Sequence, residues 1–475
     1  MICIPIIAKN MDSALADIKK ANNIADIVEL RIDYISNFDL KKLIEASKKP
    51  VIITNRRKID GGKFEGSEEE RLAALKQAID LGADYIDIEI DSDYNKVIRN
   101  KKNSKIIVSY HNFNETPNNI NDVYNKLKSA NADIIKIAAT ANKLSDNLKI
   151  IELIKNSEKP IIGLCMGPLG EISRILAPLY GSFLAFASLE KDKESAPGQI
   201  PAETLKTIYR INDIKPGFKV YGGIGNPINE SKGHIIHNSM FKKNKLNSIY
   251  LNFQVDDLEE FIKNFSSSLS GFSVTMPHKQ KIIEYLDKID PIAEKIGAVN
   301  TAVNNNGKLT GYNTDITGAI KAIEVKTKIK NKNVTILGAG GAARAIAVGI
   351  IEKGGKLTVL NRTVEKAEKL SKEFNCNFGS LQDFEKIKTD ILINTTSVGM
   401  HPNINETPVN TKNVKNIVVF DAIYNPEKTK LLQEAERNNC VIISGIEMFI
   451  NQAAEQFKLW TGKEPDTDFM RNLIK

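Results

Sequence analysis

Two residues in the first half of the sequence have side chains suited to carbonyl chemistry. Lys136 lies within an apolar, β-branched run at 134–138, and His111 follows a similar run at 106–110. A lysine inside a strand is costly to bury unless it is paired or neutral, and a neutral amine can attack a ketone to form a Schiff base. A histidine nearby can move protons near neutral pH. A structural ion pair explains Lys136 alone equally well, and the added His111 favours the catalytic interpretation.

Short apolar runs that alternate with helical patterns would position these side chains. The runs are residues 2–8, 27–30, 51–54, 85–90, 106–110, 134–138, 161–165 and 183–188. Residues 67–81 are typical of the helices between them, because Ser67 and Glu70 form a capping-box pattern at the start. Eight strand–helix units in succession predict a (β/α)8 barrel, whose chemistry lies at the C-terminal ends of the strands.

Charged and polar residues cluster after these runs, where a packed barrel does not need them. The motifs are Glu29-Leu30-Arg31-Ile32-Asp33, Asn55-Arg56-Arg57, Asp60-Gly61-Gly62, Ser109-Tyr110-His111, Ile135-Lys136-Ile137-Ala138, Ile172-Ser173-Arg174 and Ser195-Ala196-Pro197-Gly198-Gln199. In this order, across residues 1–213, the sequence resembles the type I 3-dehydroquinate dehydratases.

The resemblance implies roles for these residues. Lys136 would form the imine with the ketone of 3-dehydroquinate, and His111 would be the general acid–base. The residues that would hold the substrate carboxylate and hydroxyls are Glu29, Arg31, Arg56, Arg174, Ser195 and Gln199. Asp60 stands where the family usually has glutamate, and its carboxylate would pair with His111 over a reach that is shorter by one methylene.

A glycine-rich turn in the second half is suited to binding a dinucleotide. Strand-like residues 333–337 lead into a GxGxxA variant formed by Gly338, Ala339, Gly340, Gly341 and Ala342, and a helical stretch follows. Such glycines let the backbone approach a pyrophosphate at a helix N-terminus. A tight turn without a ligand is the alternative, and the flanking strand and helix favour the nucleotide.

The end of the next strand-like run, 356–360, distinguishes between the two nicotinamide cofactors. NAD enzymes place an acidic residue there to bind the ribose 2′-hydroxyl. This sequence has Asn361-Arg362-Thr363, with Lys366 one turn later. Basic side chains attract a 2′-phosphate, so NADP is favoured. Surface residues without a ligand would explain Arg362 or Lys366 taken singly.

Further polar motifs lie on both sides of this turn in the sequence. Most are in the smaller unit that precedes it, 218–320, and one is near the C-terminus. They are Gly225-Asn226-Pro227-Ile228, Ser231, Thr275-Met276-Pro277-His278-Lys279, Asn300, Asn313-Thr314-Asp315 and Gln452. Together with the glycine-rich turn, they resemble shikimate dehydrogenase across residues 218–475.

This second resemblance also implies roles. Lys279 and Asp315 would exchange a proton at the substrate oxygen. Substrate carboxylate and hydroxyls would contact Ser231, Thr275, Asn300, Tyr424 and Gln452. NADP would bind Gly338 to Ala342, Asn361, Arg362, Thr363, Lys366 and Gly445.

One motif of the second half departs from its family. The usual Ser-x-Ser-Pro stands here as Ser231-Lys232-Gly233-His234. One hydroxyl donor to the substrate carboxylate is lost at Gly233, and the site is expected to gain room. The choice between shikimate and the bulkier quinate therefore stays open.

The organisation predicted is a barrel at 1–213, a substrate-binding unit at 218–320 completed by 445–475, and a Rossmann-type unit at 330–444. The product of the first reaction is the substrate of the second, so a bifunctional enzyme is expected. A ligand-sensing pseudoenzyme is the alternative from another functional class. Such a protein would be expected to lose a catalytic residue, but Lys136, His111, Lys279 and Asp315 are all present.

Composition excludes several other classes. The 475 residues are 42% hydrophobic and 26% charged, which is typical of globular proteins. The net charge of +8 comes without an arginine-rich block, so no nucleic-acid partner is expected. The four cysteines are scattered and predict neither disulfides nor a metal site. Residues 2–8 predict a strand and not a signal or transit peptide, and no run is long enough for a membrane span, so we expect a cytoplasmic enzyme.

Overall fold

The computed structural model describes residues 1–228 and 230–474. The chain divides into two compact units, Met1–Phe218 and Lys219–Lys475. No helix of the described residues is long and apolar enough to cross a membrane.

The first unit alternates strands with helices. Its strands are β1 (Ile2–Ile6), β2 (Ile27–Arg31), β3 (Val51–Thr54), β4 (Tyr85–Glu89), β5 (Lys105–Asn112), β6 (Ile134–Thr140), β7 (Ile161–Met166) and β8 (Ala185–Phe186). Its helices are α1 (Met11–Ala21), α2 (Leu40–Ala46), α3 (Glu68–Asp80), α4 (Tyr94–Ile98), α5 (Ile120–Ser129), α6 (Asp146–Lys155), α7 (Glu171–Leu179) and α8 (Ala202–Thr207). The capping box predicted for α3 is formed by Ser67 and Glu70.

The eight strands form one parallel sheet in the order β7-β6-β5-β4-β3-β2-β1-β8, which confirms the predicted barrel as a nearly closed ring. Between β7 and the segment just before β8, the Phe183 N–H bonds to Ile161 O at 2.7 Å and the Gly163 N–H bonds to Ser182 Oγ at 3.3 Å. The predicted eighth strand, 183–188, is longer than the observed one. Ala187 N–H still bonds to Cys3 O of β1, but the backbone N–H of Ser188 bonds to Ile200 O instead, so the chain leaves the ring after Ala187.

Strand register sets the height of each functional side chain in the ring. Glu89 of β4 is level with Ser109 of β5, and Ser109 is level with Lys136 of β6. Asp87 is two residues earlier on β4, and it is buried like Glu89 and Ser109. Residues two apart on a strand share one face, so β4 presents two carboxylates on the face that carries the site.

The second unit begins with a mixed sheet. Its strands are β9 (Lys219–Gly225), β10 (Ser248–Gln254), β11 (Gly271–Val274), β12 (Lys288–Ile289), β13 (Thr301–Asn305) and β14 (Lys308–Tyr312), in the order β10-β9-β11-β13-β14-β12. Its helices are α9 (Gly233–Lys243), α10 (Leu258–Phe265), α11 (Pro291–Ile296) and α12 (Asp315–Glu324).

A parallel Rossmann-like sheet follows, as predicted for the fold class. Its strands are β15 (Asn333–Leu337), β16 (Lys356–Leu360), β17 (Asn377–Gly379), β18 (Ile391–Asn394), β19 (Val418–Asp421) and β20 (Val441–Ile443), in the order β17-β16-β15-β18-β19-β20. The helices are α13 (Gly341–Glu352), α14 (Val364–Phe374), α15 (Lys430–Arg437), α16 (Gly445–Thr461) and α17 (Thr467–Ile474).

Helix α16 returns the chain to the mixed sheet. Its residues Ile450, Phe457 and Trp460 are buried in an apolar cluster with Met240 and Phe241 of α9. Both ends of the second unit therefore contribute to the core beside the mixed sheet.

Candidate active sites

One cavity in the first unit is lined by every residue that the sequence places in the dehydratase site. These residues are Glu29, Arg31, Arg56, Asp60, His111, Lys136, Arg174, Ser195 and Gln199. The wall also includes residues that sequence reasoning did not select, namely Gly61, Phe113, Ala138, Leu164, Met166, Phe186 and Ala196. Residues from distant parts of the sequence thus meet around one space that mixes charged and apolar surface.

Lys136 is buried at the cavity wall and is not alone there. Its Nζ donates to Asp87 Oδ2 at 2.8 Å, and it lies 4.3 Å from the centroid of the Phe186 ring. Burial alone would raise the pKa of Asp87, but Arg56 and Lys136 outweigh burial and hold that pKa well below its usual range. Lys136 therefore forms a buried ion pair with Asp87. Such a pair was one of the two explanations of this lysine that the sequence allowed.

The predicted ligand Arg56 belongs to a buried chain of charges. Its Nη2 lies 3.0 Å from Asp87 Oδ1, and its Nη1 donates to Glu89 Oε1 at 2.8 Å. Glu89 Oε2 accepts from Arg71 Nη1 at 2.7 Å, and Arg71 also contacts Glu68. Arg56 is therefore fixed by the protein itself, so its orientation in the cavity is set before any ligand binds.

His111 lies in the same cavity with its ring stacked on Phe113, at 6.3 Å between centroids. Burial, together with the positive charges of Arg56 and Lys136, lowers the pKa of His111 well below its usual range. The imidazole is therefore neutral at physiological pH and can accept a proton.

The expected pairing of Asp60 with His111 is not formed. Asp60 Oδ2 accepts from Arg57 Nε at 2.6 Å, whereas the buried Nδ1 of His111 has no hydrogen-bond partner. The shorter aspartate side chain is thus held by its own turn. Asp60 and His111 still border the same cavity.

Arg174 differs from the other two arginines of the cavity. Arg31 is paired bidentately with Asp33 at 2.9 and 2.8 Å, and Arg56 is paired with carboxylates of β4. Among the residues that the structure describes, Arg174 Nη2 donates to the backbone oxygen of Pro197 at 3.1 Å, its buried Nε has no partner, and no carboxylate forms an ion pair with it. Burial lowers the pKa of Arg174 to about 10, a value at which the guanidinium stays charged. An incoming carboxylate would supply its missing counter-charge.

The loop after β8 and one strand threonine complete the polar wall. Gln199 Oε1 accepts from the backbone N–H of Ser195 at 2.8 Å, and its Nε2 donates to Ser195 Oγ at 3.0 Å. Glu29 Oε1 accepts from Thr54 Oγ1 at 2.7 Å. These bonds orient hydroxyl, amide and carboxylate groups that could contact the hydroxyls of a polyol.

The predicted proton-exchange pair of the second unit is formed. Lys279 Nζ donates to Asp315 Oδ2 at 2.5 Å, and Asn300 Nδ2 donates to Asp315 Oδ1 at 2.9 Å. Asp315 is the first residue of α12, and Asn300 directly precedes β13. The carboxylate is thus fixed on both oxygens, and it orients a lysine that is only partly buried.

Three predicted ligands meet at the start of α9. The Gly233 N–H donates to Ser231 Oγ at 3.3 Å, and Tyr424 lies near Ser231, which counteracts part of the rise that burial gives the pKa of Tyr424. A Cβ at Gly233 would lie 3.1 Å from the Tyr250 hydroxyl and 3.4 Å from Ser231 Oγ. The room expected at Gly233 is therefore narrow, because the Tyr250 hydroxyl borders it.

Two other predicted ligands come from neighbouring elements: a Cβ at Gly318 of α12, the helix that begins with Asp315, would lie 3.1 Å from Gln452 Cβ, and the His278 N–H, next to Lys279, bonds to Thr275 O. Thr275 directly follows β11, and its backbone N–H bonds to Ile224 O at 2.9 Å. Gln452 lies on α16 and donates to the carbonyl of Phe449 in the same helix at 3.0 Å. Both are partly exposed.

The glycine-rich turn fits a dinucleotide. Gly338 has a φ of +110°, where an added Cβ would also lie 2.5 Å from Thr395 Oγ1. No atom lies within 4 Å of the position that a Cβ would take at Gly340, so this side of the turn is open. At Gly341, the first residue of α13, a Cβ would lie 3.2 Å from Lys279 Cδ. The turn therefore lies beside the proton-exchange pair.

The basic residues after β16 are exposed, and Asn361 shapes their turn by donating to Thr363 O at 2.8 Å. Among the described residues, Arg362 and Lys366 take part in none of the ion pairs, so both are available to a phosphate. Ala339 lies in the glycine-rich turn, and Ala342 is the second residue of α13. Gly445 begins α16, where an added Cβ would lie 2.4 Å from Ile423 O.

Known proteins match both units. Family models for "Type I 3-dehydroquinase" match residues 2–216, and those for the "Shikimate dehydrogenase substrate binding domain", "Shikimate / quinate 5-dehydrogenase" and "Shikimate 5'-dehydrogenase C-terminal domain" match 224–302, 321–440 and 445–475. The Arabidopsis thaliana chloroplastic bifunctional 3-dehydroquinate dehydratase/shikimate dehydrogenase is 40% identical over 97% of this chain and 82% of its own length. This chain belongs to the family of bifunctional 3-dehydroquinate dehydratase/shikimate dehydrogenases.

Two more similarities extend the comparison, and the family resemblance drawn from sequence motifs is confirmed. The shikimate biosynthesis protein AroDE of Chlamydia pneumoniae is 31% identical over 100% of this chain and 99% of its own. A crystal structure of shikimate 5-dehydrogenase from Thermus thermophilus, in complex with NADP(H) and shikimate, is 29% identical. It covers 54% of this chain and 98% of its own, with a TM-score of 0.51.

Sequence reasoning assigned no role to several residues that hold the catalytic groups in place. In the barrel these are Asp87, Glu89, Arg71 and Ser109, and in the second unit Thr301, Gln456 and His237. Two carboxylates at alternate positions of an apolar strand were a usable signal for the first set. The spacing of four between Gln452 and Gln456 on one helix was a signal for the second.

Proposed function

We propose that the first unit dehydrates 3-dehydroquinate to 3-dehydroshikimate through a Schiff base on Lys136. The single observation that carries this proposal is the cavity in which Lys136, a neutral His111 and Arg174, whose Nε has no hydrogen-bond partner, meet. A ketone that also carries a carboxylate and hydroxyls matches these three groups.

The chain's own residues supply each step. Arg174 binds the carboxylate, and Ser195 and Gln199 bind hydroxyls. The Lys136 nitrogen then attacks the ketone carbon, and the ketone oxygen leaves as water. His111 removes the proton next to the imine and returns it to the departing hydroxyl. Hydrolysis of the imine frees the product and restores the amine.

The second unit, in our proposal, reduces 3-dehydroshikimate to shikimate with NADPH. The cofactor supplies hydride when it is bound, and Gly338 to Ala342, Arg362 and Lys366 would hold it. Lys279 donates the proton to the substrate oxygen, and Asp315 keeps the ammonium oriented. The names of relatives, such as the shikimate dehydrogenase (NADP(+)) of Methanocaldococcus jannaschii, support this choice of cofactor.

The domain assignment is also a proposal. The dehydratase occupies 1–213, the substrate-binding unit occupies 218–320 and is completed by 445–475, and the NADP unit occupies 330–444. The separate mixed and parallel sheets support the division within the second half. The first product is then the second substrate, within one cytoplasmic chain.

Two assays test the halves separately. Sodium borohydride added during turnover of 3-dehydroquinate should reduce the imine and leave a stable adduct on Lys136, located by mass spectrometry of peptides. An adduct elsewhere, or none, would contradict the barrel mechanism.

In the second assay, 3-dehydroshikimate should be reduced with NADPH at far lower cofactor concentrations than with NADH. Equal use of both cofactors would contradict the assignment of Arg362.

A quinate dehydrogenase second half is the rival, favoured by the missing side chain at Gly233 and by the family model that names both substrates. The Tyr250 hydroxyl next to Gly233 supports shikimate, since it narrows that space. Oxidation of quinate and of shikimate with NADP should show a strong shikimate preference, and an equal or greater rate with quinate would favour the rival. Tight binding of both without turnover would favour a sensor.

A further inference from the structure

Asp87, the partner of Lys136, is held by further contacts of its own. Asp87 Oδ2 accepts from Lys136 Nζ at 2.8 Å. Asp87 Oδ1 accepts from Ser109 Oγ at 2.7 Å and lies 3.0 Å from Arg56 Nη2. The Asp87 side chain is fully buried and does not line the cavity, so it reaches the amine but not a substrate.

The carboxylate also belongs to a chain of alternating charges. The order is Lys136, Asp87, Arg56, Glu89, Arg71 and Glu68, with three cations and three carboxylates. Each inner member is in contact with two opposite charges. Removal of one partner from a buried pair leaves an uncompensated charge, which is far more costly than the pair itself. The position of the lysine nitrogen is thus tied to several elements of the barrel.

Imine formation conserves the charge that Asp87 faces. An ammonium and a ketone give a protonated imine and water, since a C–N bond forms, the C–O bond breaks, and two of the three nitrogen protons leave with the oxygen. The third proton stays on nitrogen, so the charge is +1 before and after. A fixed carboxylate therefore faces a cation in both states and needs no reorganisation between them, which suits a group that positions the nitrogen.

We propose that Asp87 is the positioning residue of the dehydratase centre, which holds the Lys136 nitrogen at the cavity and keeps the protonated imine paired during turnover. The proposal rests on the imine mechanism proposed above. Other charged or titratable groups near Lys136 are Cys3 on β1, Glu29 and Arg31 on β2, Arg56 and Asp60 after β3, Glu89 on β4, His111 on β5, and Arg174 on α7.

The variant Asp87→Asn in the full chain tests this role. Dehydratase kcat should fall about 100-fold, the loss expected when a reacting group is displaced by about 1 Å. The acid limb of the kcat/KM profile should move to lower pH, because the variant lacks the negative charge that favours protonated groups around Asp87, His111 among them. Reduction of 3-dehydroshikimate serves as the internal reference. A kcat within about twofold of wild type, or an acid limb that stays in place, would overturn the proposal.

Glu89→Gln is the matched control. It removes a carboxylate of similar burial from the same chain of charges, but one that is not bonded to Lys136. Loss of the Glu89 carboxylate should weaken substrate binding, because Arg56 is then held less firmly. The acid limb of the kcat/KM profile should stay where it is in wild type. An equal movement of the limb in both variants would show a general electrostatic effect and would overturn the role of Asp87.

A measurement on the unaltered chain does not depend on the folding of a variant. In a crystal structure of the borohydride-reduced adduct, the new secondary amine should lie within about 3.2 Å of an Asp87 oxygen. A formed adduct whose nitrogen has left Asp87 would overturn this inference alone. Absence of any adduct would sink the imine mechanism itself, and the role of Asp87 with it.

Discussion

His237 should make the stability of the second unit sensitive to acid. The ring is buried, its Nε2 lies 3.3 Å from Gln456 Oε1, and its Nδ1 has no partner. Burial lowers the pKa of His237 to about 3 from the usual value of 6.5. The unfolded chain therefore binds this proton more readily than the folded chain, and stability falls as the pH drops below 6.5. Between pH 7 and pH 4.5 this one group should cost about 2.5 kcal/mol.

The variant His237→Phe removes the proton site and keeps an aromatic ring against Tyr250 and Trp460. Its lost bond to Gln456 should cost about 1–3 kcal/mol at either pH. The quantity to compare is therefore the change in the free energy of unfolding between pH 7 and pH 4.5. This change should be about 2.5 kcal/mol smaller in the variant than in wild type.

The only tryptophan of the chain reports this unit. Trp460 lies 4.9 Å from the His237 ring, so urea unfolding at pH 7 and pH 4.5 can be followed by its fluorescence. His401→Phe removes an exposed histidine from the same unit and should leave the pH dependence as in wild type. An equal loss of stability in wild type and His237→Phe would refute the assignment of acid sensitivity to His237.

Three further variants have distinct expected results. Lys136→Ala should abolish dehydration and spare the reductase, measured with 3-dehydroquinate and 3-dehydroshikimate separately; retained dehydration would refute the imine. Arg362→Asp should raise the KM for NADPH by about ten- to a hundredfold through loss of a charge-assisted bond and added repulsion, while the KM for 3-dehydroshikimate stays constant; an unchanged KM for NADPH would show a surface residue only. Asp60→Glu should bring a carboxylate nearer to His111 and move the dehydratase pH profile towards higher pH, and an unmoved profile would show that the side chain stays on its own turn.

Local sequence patterns predicted the elements of this fold well, because strand and helix periods are decided by neighbouring residues. The runs at 51–54, 333–337 and 356–360 coincide with β3, β15 and β16. The eighth barrel strand was predicted too long. Its residues are apolar enough for a strand, but the backbone of Ser188 bonds to the chain near Ile200, a contact that no local pattern reveals.

Side-chain partners were less predictable than positions. Motifs identified Lys136 and Arg56, but the carboxylates that fix these two side chains come from β4, whose contribution depends on strand register. Asp60 shows the same limit, since the sequence gives its shorter length and only the turn geometry shows that Arg57 holds it. Pairing between distant elements is a property of the packed barrel.

The central claim is that this one chain performs two consecutive reactions. The most direct test supplies the purified chain with 3-dehydroquinate and NADPH and follows the loss of nicotinamide absorbance. We expect NADPH to be consumed only when both reagents are present, with shikimate as the product. No consumption with 3-dehydroquinate, and none with 3-dehydroshikimate added directly, would contradict it.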